Sequence, residues 1–507
     1  MLNGVPNGVL KLKNKQIMDV LKTFCKWGKG VLCFTFLIAS NVSYAQQKYN
    51  VLFIAVDDLN DYVSLLEDYP GIKTPNLDRF SKRAITFTKA YTAAPVCNPS
   101  RSAILTGLAP VVTGLYDNPD HFQNSQAAME ATLMPEHFKN NGYTTLWSGK
   151  IFHTGRHDYF SRPGKNRMEA MWDDKKGHDG GYGPNAKNSN IPDSLVRPGL
   201  FDYESWEGPD SDFPDVVNTD LTIQRLEADY NRPFFMALGL YRPHNPWTAP
   251  KRFFDMYPME TLQMPKVLEG DLDDVPEIGR KWAEGPVDFH ALKKAGKWKP
   301  IVQAYLASIS FMDYNLGRVL DALENSTYKD NTIVVLWADH GFHMGEKNHF
   351  AKYALWEKTT HTLFMAKIPN GPKGEIRDQP VNLVDIYPTL IDYCDLNNVK
   401  QELSGVSLRK VIEDKNHKKE TPSITYYKKG SVGIRTDNWR YIRYFDGTEE
   451  LYDHKEDPQE WENLANDPEF RVVKNDFKKW IPKTIKKAVG PIIVNEKGRL
   501  KIKQGRK

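Results

Sequence analysis

The sequence predicts an α/β fold in which helices flank a large, mainly parallel sheet, followed by a smaller C-terminal antiparallel sheet with a helix. Short continuous apolar runs, typical of strands buried on both faces, alternate with stretches whose apolar residues have helical spacing. This alternation is typical of a parallel α/β sheet. From about residue 423 the pattern changes to short alternating segments, which favours an antiparallel sheet.

Polar residues follow each of the four clearest apolar runs. The runs are 50–56, 143–147, 233–240 and 332–338, and they lead into Asp57-Asp58, Gly149-Lys150, the region of His244 and Asp339-His340. Ligands of parallel α/β sheets bind at the carboxyl ends of the strands. We therefore expect these polar side chains to meet at one edge of the sheet.

Helices are expected between these strands, and a smaller set of elements after them. The predicted helices cover 132–140, 220–230 and 301–323, with a further one starting after residue 97. The predicted C-terminal elements are strands at 431–436, 439–444 and 450–452 and a helix at 474–487. Residues 158–215 and 268–286 lack periodicity and are predicted to be long loops.

The chain of 507 residues is long enough for one large domain and a smaller one. We expect the catalytic α/β domain over residues 46–420, a C-terminal α+β subdomain over 421–487 and a basic tail over 488–507. The last 30 residues hold eleven Lys and Arg against one acid. A solvated, partly disordered end is favoured over a polyanion-binding segment, and no nucleic-acid partner is expected.

Residues 1–45 are typical of a signal peptide. Lysines precede the apolar run 31–39, which is followed by a small-x-small cleavage site at 43–45. The run is shorter than the roughly 20 residues needed to span a bilayer, so a membrane anchor is the less favoured alternative. The mature protein is predicted to be exported, to the periplasm or the medium.

Cleavage of that leader would leave two cysteines, Cys97 and Cys394. Two cysteines do not make a disulfide framework, although a single bridge between them remains an open alternative.

Cys97 precedes Asn98, a suitable N-cap, and Pro99, a suitable first helical residue. A thiol at a helix N-terminus has a lowered pKa and lies where an anion can bind, so a cysteine nucleophile with Arg101 facing the same anion is one hypothesis.

Asp57, Asp58 and Asp339, with the imidazole of His340, form an oxygen-rich set at two strand ends. Neighbouring carboxylates are costly to bury without a cation, and oxygen ligands favour calcium or magnesium over zinc. The alternative is that each Asp merely caps a following helix or turn. The two pairs together favour a divalent cation.

These motifs resemble the type I, formylglycine-dependent sulfatase family. The matching segments are Cys97-x-Pro-Ser-Arg101, Leu105-Thr-Gly107, Asp57-Asp58, Gly149-Lys-x-x-His153, 241–247 with His244, Asp339-His-Gly341, Ala351-Lys-Tyr353, 450–453 and 457–464. The resemblance covers about residues 48–470 and implies an alkaline-phosphatase-like fold. His340 stands where many sulfatases have Asn, which makes the chain more similar to the iduronate-2-sulfatase branch.

The resemblance implies that a formylglycine-generating enzyme oxidises Cys97 to an aldehyde during maturation. One hydroxyl of the hydrated aldehyde attacks sulfur and the alcohol leaves; the other then loses its proton, the aldehyde re-forms and sulfate is expelled. One Ca²⁺, with Mg²⁺ less favoured, would be held by the oxygen of the converted Cys97 and by Asp57, Asp58, Asp339 and His340.

The resemblance also implies a role for each remaining residue. Arg101 would stabilise the hydrated aldehyde, and Lys150 and Lys352 would bind the sulfate oxygens. His153 would assist the proton transfer that releases sulfate. His244, with Lys352, would protonate the departing sugar oxygen.

The predicted function is hydrolysis of sulfate monoesters on polysaccharide-derived oligosaccharides, by exo action on fragments such as those of ulvan or glycosaminoglycans. One alternative is a phosphonate or phosphate monoester hydrolase of the same superfamily. Another is a non-catalytic binder of sulfated glycans. His343, His349 and His361 follow the motif at Asp339, so any of them could contact substrate.

Overall fold

The computed structural model of the chain describes residues 48–494 and 500–502, apart from 67–68, 154–166, 175–180, 182, 185, 187–189, 193, 197–200 and 286. The predicted signal peptide and much of the predicted loop 158–215 therefore lie outside the described residues. Within the described ranges, no helix is long and apolar enough to cross a membrane.

Eighteen strands are present in the described residues. In chain order they are β1 Asn50–Asp57, β2 Ile85–Tyr91, β3 Thr144–Gly149, β4 Tyr203–Trp206, β5 Phe234–Pro243, β6 Trp247–Pro250, β7 Thr332–Ala338, β8 His343–Met344, β9 Phe350–Ala351, β10 His361–Lys367, β11 Glu375–Arg377, β12 Val381–Asn382, β13 Ser423–Tyr427, β14 Ser431–Arg435, β15 Trp439–Arg443, β16 Glu449–Asp453, β17 Ile492–Val494 and β18 Leu500–Ile502.

The α-helices of the described residues lie mainly between these strands. They are α1 Pro75–Ser81, α2 Cys97–Thr106, α3 Pro110–Thr113, α4 Gln126–Glu130, α5 Met134–Asn140, α6 Arg167–Met171, α7 Pro214–Leu226, α8 Lys251–Phe254, α9 Glu277–Glu284, α10 Phe289–Lys294, α11 Trp298–Asn325, α12 Glu357–Thr360, α13 Ile386–Cys394, α14 Arg409–Glu413 and α15 Arg471–Phe477.

The main sheet has eight strands in the order β11-β2-β10-β7-β1-β5-β3, with β12 beside β2. The four strands predicted from apolar runs are parallel neighbours: β1 pairs with β5 on one side and β7 on the other, and β3 pairs with β5. β10, which the sequence analysis missed, runs antiparallel to β7 and β2. The mainly parallel sheet is therefore confirmed, with one antiparallel strand inserted.

Strand β1 shows why its sequence is a continuous apolar run. Its even-numbered residues Leu52, Ile54 and Val56 belong to a core shared with α11. The odd-numbered residues pack on the opposite face, against a core that includes α2, α5 and α13. Because successive side chains of a strand point to opposite faces, burial under helices on both sides removes polar residues from every position.

The C-terminal sheet is antiparallel, in the order β13-β14-β15-β16. Its predicted helix, 474–487, is wrong in extent: α15 begins at Arg471 and ends at Phe477. One 3₁₀ turn follows, and Pro482 cannot continue a helix. Part of the predicted basic tail is packed, since the backbone N–H of Val489 donates to the Gly114 carbonyl at 3.0 Å.

Two further differences affect the site. Helix α9 lies within 268–286, which was predicted to be loop. Helix α2 begins at Cys97 itself, with Val96 at the N-cap position. The Asn98 side chain does not cap this helix; it donates to the backbone carbonyls of Asp117, Asn118 and Asp120 and so ties the helix start to the following loop.

Candidate active site

The carboxyl ends of β1 and β7 meet, as expected for adjacent parallel strands. They bring Asp57, Asp58, Asp339 and His340 together, all at most 1% exposed. The backbone N–H of Asp58 donates to Asp339 Oδ1 at 3.0 Å. Asp58 has φ of 57°, a left-handed conformation. Its side chain therefore does not follow the strand pattern of alternating faces and lies towards the other carboxylates.

The Cys97 side chain lies at the N-terminus of α2 and faces this cluster. Its Sγ is 3.0 Å from Lys352 Nζ, 3.3 Å from His340 Nε2 and 3.7 Å from Asp58 Oδ1. Burial raises the pKa of the thiol, but the positive charges of Lys352 and Lys150 outweigh burial and hold the pKa well below its ordinary value. In the described part of the chain, no disulfide joins Cys97 to Cys394.

Three buried cations pair with the three carboxylates. Arg101 lies between two of them, with Nε 2.8 Å from Asp339 Oδ2 and Nη2 3.0 Å from Asp57 Oδ1. Lys150 forms an ion pair with Asp57. Lys352 Nζ is 2.7 Å from Asp58 Oδ1. Burial raises the pKa of Asp57 and the Lys150 charge lowers it, with a net fall below the ordinary value.

His153 and His244 flank the cluster. His153 lies beside the Cys97 side chain, and burial lowers its pKa, which favours a neutral imidazole able to accept a proton. His244 Nε2 is 3.7 Å from Asp58 Oδ2. The described positions of all ten predicted site residues therefore converge on one buried region.

Asp215 is a supporting residue that the sequence analysis missed. Its two carboxylate oxygens accept the backbone N–H groups of Tyr241 and Arg242 at 2.7 and 2.9 Å. The Arg242 guanidinium donates to the Thr248 carbonyl at 2.7 Å, which closes the loop that carries His244. Asp215 follows a proline at the start of α7, and no sequence pattern connects it to a loop 26 residues away.

The donor set fits a hard divalent cation. One ligand atom each from Asp58, Cys97, Asp339 and His340 lies within 4.8 Å of the others, and the same holds for Asp57, Asp58 and His244. Among the described residues, Asp58 Oδ2 has no hydrogen-bond partner although it is buried. An orphaned carboxylate oxygen is costly, and a cation would satisfy it. Because three cations already balance three carboxylates, a bound divalent ion would leave excess positive charge that attracts an anion.

The other histidines predicted as substrate contacts bond to the protein instead. His343 Nδ1 is 2.6 Å from Thr359 Oγ1. His361 Nε2 is 2.8 Å from the Thr88 carbonyl and Nδ1 is 3.4 Å from Asp61 Oδ2. His349 lies between two backbone carbonyls. All three rings are buried and each has at least one hydrogen-bond partner within the protein.

Comparison with known sequences agrees with this geometry. The profile of the family described as Sulfatase matches residues 49–396, and that of N-sulphoglucosamine sulphohydrolase, C-terminal, matches 345–487. A sulfatase of Formosa agariphila is 41% identical over 86% of this chain and 87% of its own. Iduronate 2-sulfatase of Homo sapiens is 30% identical over 63% of this chain and 60% of its own.

Solved structures confirm the predicted fold. A protein solved with its substrate D-glucosamine-2-N,6-O-disulfate aligns at a TM-score of 0.63 and 22% identity, covering 86% of this chain and 97% of that one. A phosphonate monoester hydrolase of Agrobacterium radiobacter aligns at 0.66 and 18% identity, covering 90% and 100%. With a family profile over more than half of its length and a cysteine among strand-end acids, lysines and histidines, the chain belongs to the sulfatase family and is a sulfuric ester hydrolase.

Proposed function

We propose that the protein is an exported sulfatase that hydrolyses sulfate monoesters of polysaccharide-derived oligosaccharides, with a formylglycine derived from Cys97 as nucleophile and Ca²⁺ as the cation. The observation that carries the proposal is the position of Cys97 Sγ, 3.0 Å from Lys352 Nζ and beside the carboxylates of two strand ends. A glycan substrate is supported by the iduronate and glucosamine sulfate chemistry of the two relatives described above.

The aldehyde explains why a buried cysteine at this place need not act as a thiol. One hydroxyl of the hydrated aldehyde would form the bond to sulfur as the bond from sulfur to the sugar oxygen breaks. The second hydroxyl would then give up its proton, the C=O bond would re-form and the C–O bond to sulfate would break. A thiolate has no second hydroxyl, so release would need a new attack at sulfur.

The surrounding charges would bind and orient the sulfate. Lys352 and Lys150 would contact its oxygens, and Arg101 would hold the diol while it stays paired with Asp57 and Asp339. A divalent cation at the strand-end acids would draw charge from the sulfate oxygens and lower the pKa of the diol. These groups are held by buried ion pairs, so they need little reorganisation during reaction.

Two histidines lie where proton transfers would be needed. His153 lies beside the Cys97 position, and burial lowers its pKa, so a neutral ring would accept the proton of the second hydroxyl. His244 lies on the Asp58 side of the cluster and would protonate the sugar oxygen as it leaves. The two roles are separated because the two rings approach the cluster from different loops.

Mass spectrometry of the peptide 90–101 tests the nucleophile, using protein produced together with a formylglycine-generating enzyme. We expect the aldehyde at position 97 in active enzyme and a loss of activity in Cys97→Ala, with Cys394→Ala as the control that keeps both the aldehyde and activity. An unmodified thiol throughout fully active enzyme would contradict the mechanism.

N-terminal sequencing of secreted protein tests the proposed cleavage of the signal peptide before Gln46.

The likeness to a phosphonate monoester hydrolase makes that activity the second candidate. Turnover of an aryl sulfate, an aryl phosphate and a sulfated disaccharide by the same preparation separates the candidates. We expect the sulfate esters to be preferred, and the disaccharide over the aryl ester. A preference for phosphate by orders of magnitude would favour the second candidate, and glycan binding that survives in Cys97→Ala without turnover would favour a binder.

A further inference from the structure

The segment that carries Lys352 has an unusual backbone. Lys352 lies between Ala351, with φ of 117°, and Tyr353, with φ of 83°. Residues with a β-carbon rarely adopt such values, and each instance costs about 1–3 kcal/mol. A backbone of this kind persists only where surrounding contacts hold it. Contacts at the Lys352 peptide must therefore keep it in place.

His349 supplies one of these contacts. Its ring is fully buried, with Nε2 2.9 Å from the carbonyl oxygen of Lys352. Its Nδ1 is 2.8 Å from the carbonyl oxygen of Ala283, in α9. The ring packs against those of His343 and Trp356, at centroid distances of 4.9 and 6.2 Å. The imidazole therefore joins the catalytic segment to a helix that the sequence predicted to be loop.

Each of the two hydrogen bonds of His349 requires a hydrogen on the ring nitrogen that forms it. Both partners are carbonyl oxygens, which only accept hydrogen bonds, so both bonds form together only when the ring is an imidazolium. Burial lowers the pKa of His349, which favours the neutral ring. A neutral ring has one N–H and donates to one of the two carbonyls at a time.

The other side of the Lys352 segment is held by the cysteine loop. The backbone N–H of Tyr353 donates to the Pro95 carbonyl at 3.4 Å, two residues before Cys97. Lys352 Nζ itself reaches Asp58 and Cys97. If the hydrogen bond from His349 were lost, the backbone at Ala351 and Tyr353 could relax from its positive φ angles. The Cα atom of Lys352 would then shift and carry the side chain with it.

We propose that His349 is a positioning residue for Lys352: its Nε2–H holds the Lys352 carbonyl and thereby sets where Nζ lies against the nucleophile and the sulfate. This inference rests on the role proposed above for Lys352. Misplacing a reacting or binding group by about 1 Å can cost about 100-fold in rate, so the contact is expected to appear in kcat.

The ring's two nitrogens allow a matched pair of variants. In His349→Gln the side-chain amide N–H lies close to the position of Nε2, so the bond to Lys352 can be kept. In His349→Asn the amide lies close to the position of Nδ1, so only the bond to Ala283 can be kept. We expect His349→Asn to lower kcat about 100-fold with KM within about threefold, and His349→Gln to stay within about tenfold of wild type.

Thermal unfolding of both variants separates positioning from stability. We expect similar losses of Tm in the two, because each replaces the buried imidazole with an amide that can donate to only one of the two carbonyls. His137→Asn, which removes a buried imidazole bound to the Asn397 carbonyl and outside the ten predicted site residues, serves as control and is expected to lower Tm without changing kcat. Equal kcat values in His349→Asn and His349→Gln would overturn the inference.

Lys352→Ala distinguishes failure of the inference from failure of the proposed function. If Lys352→Ala keeps wild-type kcat, the role proposed for Lys352 is wrong and the inference falls with it. If Lys352→Ala is inactive while the two His349 variants match, only the inference is wrong. Should His349→Asn not fold, a kcat of His349→Gln below about a tenth of wild type overturns the proposal.

Discussion

Two buried ionic clusters of the described residues differ in how completely their carboxylates are paired. The cluster at the candidate active site comprises Asp57, Asp58, Cys97, Arg101, Lys150, Asp339, His340 and Lys352. The C-terminal cluster comprises Glu357, Arg435, Arg440, His454 and Glu460, and joins α12 to the C-terminal sheet. Both bury several charges, yet only the first leaves a carboxylate oxygen without a hydrogen-bond partner in the described residues.

The C-terminal cluster uses every carboxylate oxygen. Glu357 Oε1 accepts from Tyr91 at 2.8 Å, and its Oε2 pairs with Arg435 and Arg440. Glu460 Oε1 pairs with His454 at 2.9 Å and with Arg440, and its Oε2 accepts the Glu357 N–H at 2.8 Å. Burial raises the pKa of Glu357, but the two arginines outweigh it and hold the pKa well below its ordinary value.

This difference supports the proposal that the first cluster serves function and the second serves structure. In the C-terminal cluster every carboxylate oxygen already has a partner, although one atom each of Glu357, His454 and Glu460 lies within 4.8 Å of the others, so we expect its charges to act mainly on stability. A cluster with an orphaned oxygen and a perturbed thiol is costly for the folded protein and is retained for what it binds. Substitutions in the two clusters are therefore expected to affect different measurements.

Asp58→Asn should give the largest effect, on activity. The amide keeps the shape but weakens the cation site, so we expect kcat/KM to fall about 10⁴-fold, equivalent to about 5.5 kcal/mol. Measured without added cation, the free energy of unfolding should change by less than about 1 kcal/mol, because the amide replaces the oxygen that has no hydrogen-bond partner and its own oxygen can still accept from Lys352. Asp313→Asn is the control: both Asp313 oxygens accept backbone N–H groups of α1, so stability should fall while kcat stays.

Arg440→Met should show the opposite pattern. It leaves the buried carboxylates of Glu357 and Glu460 without their shared partner, so we expect a loss of about 3–5 kcal/mol in unfolding free energy. The folded fraction should keep kcat within about threefold, since no predicted site residue contacts Arg440 in the described structure. Arg443→Met, in the same strand but half-buried, should cost less than about 1 kcal/mol. Equal losses in the two variants would contradict a structural role for the cluster.

Removal of the cation should have an intermediate effect on stability. A ligand at about 100 times its Kd adds about 2.7 kcal/mol to the folded state, so chelation should lower Tm and abolish activity together. We expect Ca²⁺ to restore both more effectively than Mg²⁺. Asp58→Asn should show little change in Tm on chelation, which would assign the effect to this cluster; an equal change would place the ion elsewhere.

His361→Gln should have the smallest effect, visible as a pH dependence. Burial lowers the pKa of His361, but its bond to Asp61 and the charge of Glu357 outweigh burial and raise the pKa above 6.5. The charged ring therefore contributes stability below about pH 6.5 that is lost as pH rises through the folded-state pKa. The stability difference between wild type and His361→Gln should shrink from pH 6 to pH 9 in urea unfolding. A constant difference would show that the ring does not titrate.

The sequence by itself determined the parallel core and the set of candidate site residues. Fully buried strands leave continuous apolar runs, and parallel strands end at a common edge, so polar residues after those runs could be grouped before any distance was known. The cysteine motif then identified the chemistry through its resemblance to a family. Local rules worked less well at element ends: α2 starts at Cys97 because Asn98 bonds to the loop 117–120 in place of capping.

Only the tertiary structure decided how those residues pair. Lys352 and Cys97 are 255 positions apart, and no spacing predicts that Nζ lies 3.0 Å from Sγ. Sequence spacing also does not predict the pairing of the antiparallel strand β10 or the ion pairs of the C-terminal cluster. Nor does it predict the bonds from Asp215 to the His244 loop or the contact of His349 with the Lys352 carbonyl. Each depends on long-range packing of elements whose local sequences are compatible with several partners, and burial then selects the partner that leaves the fewest unpaired charges.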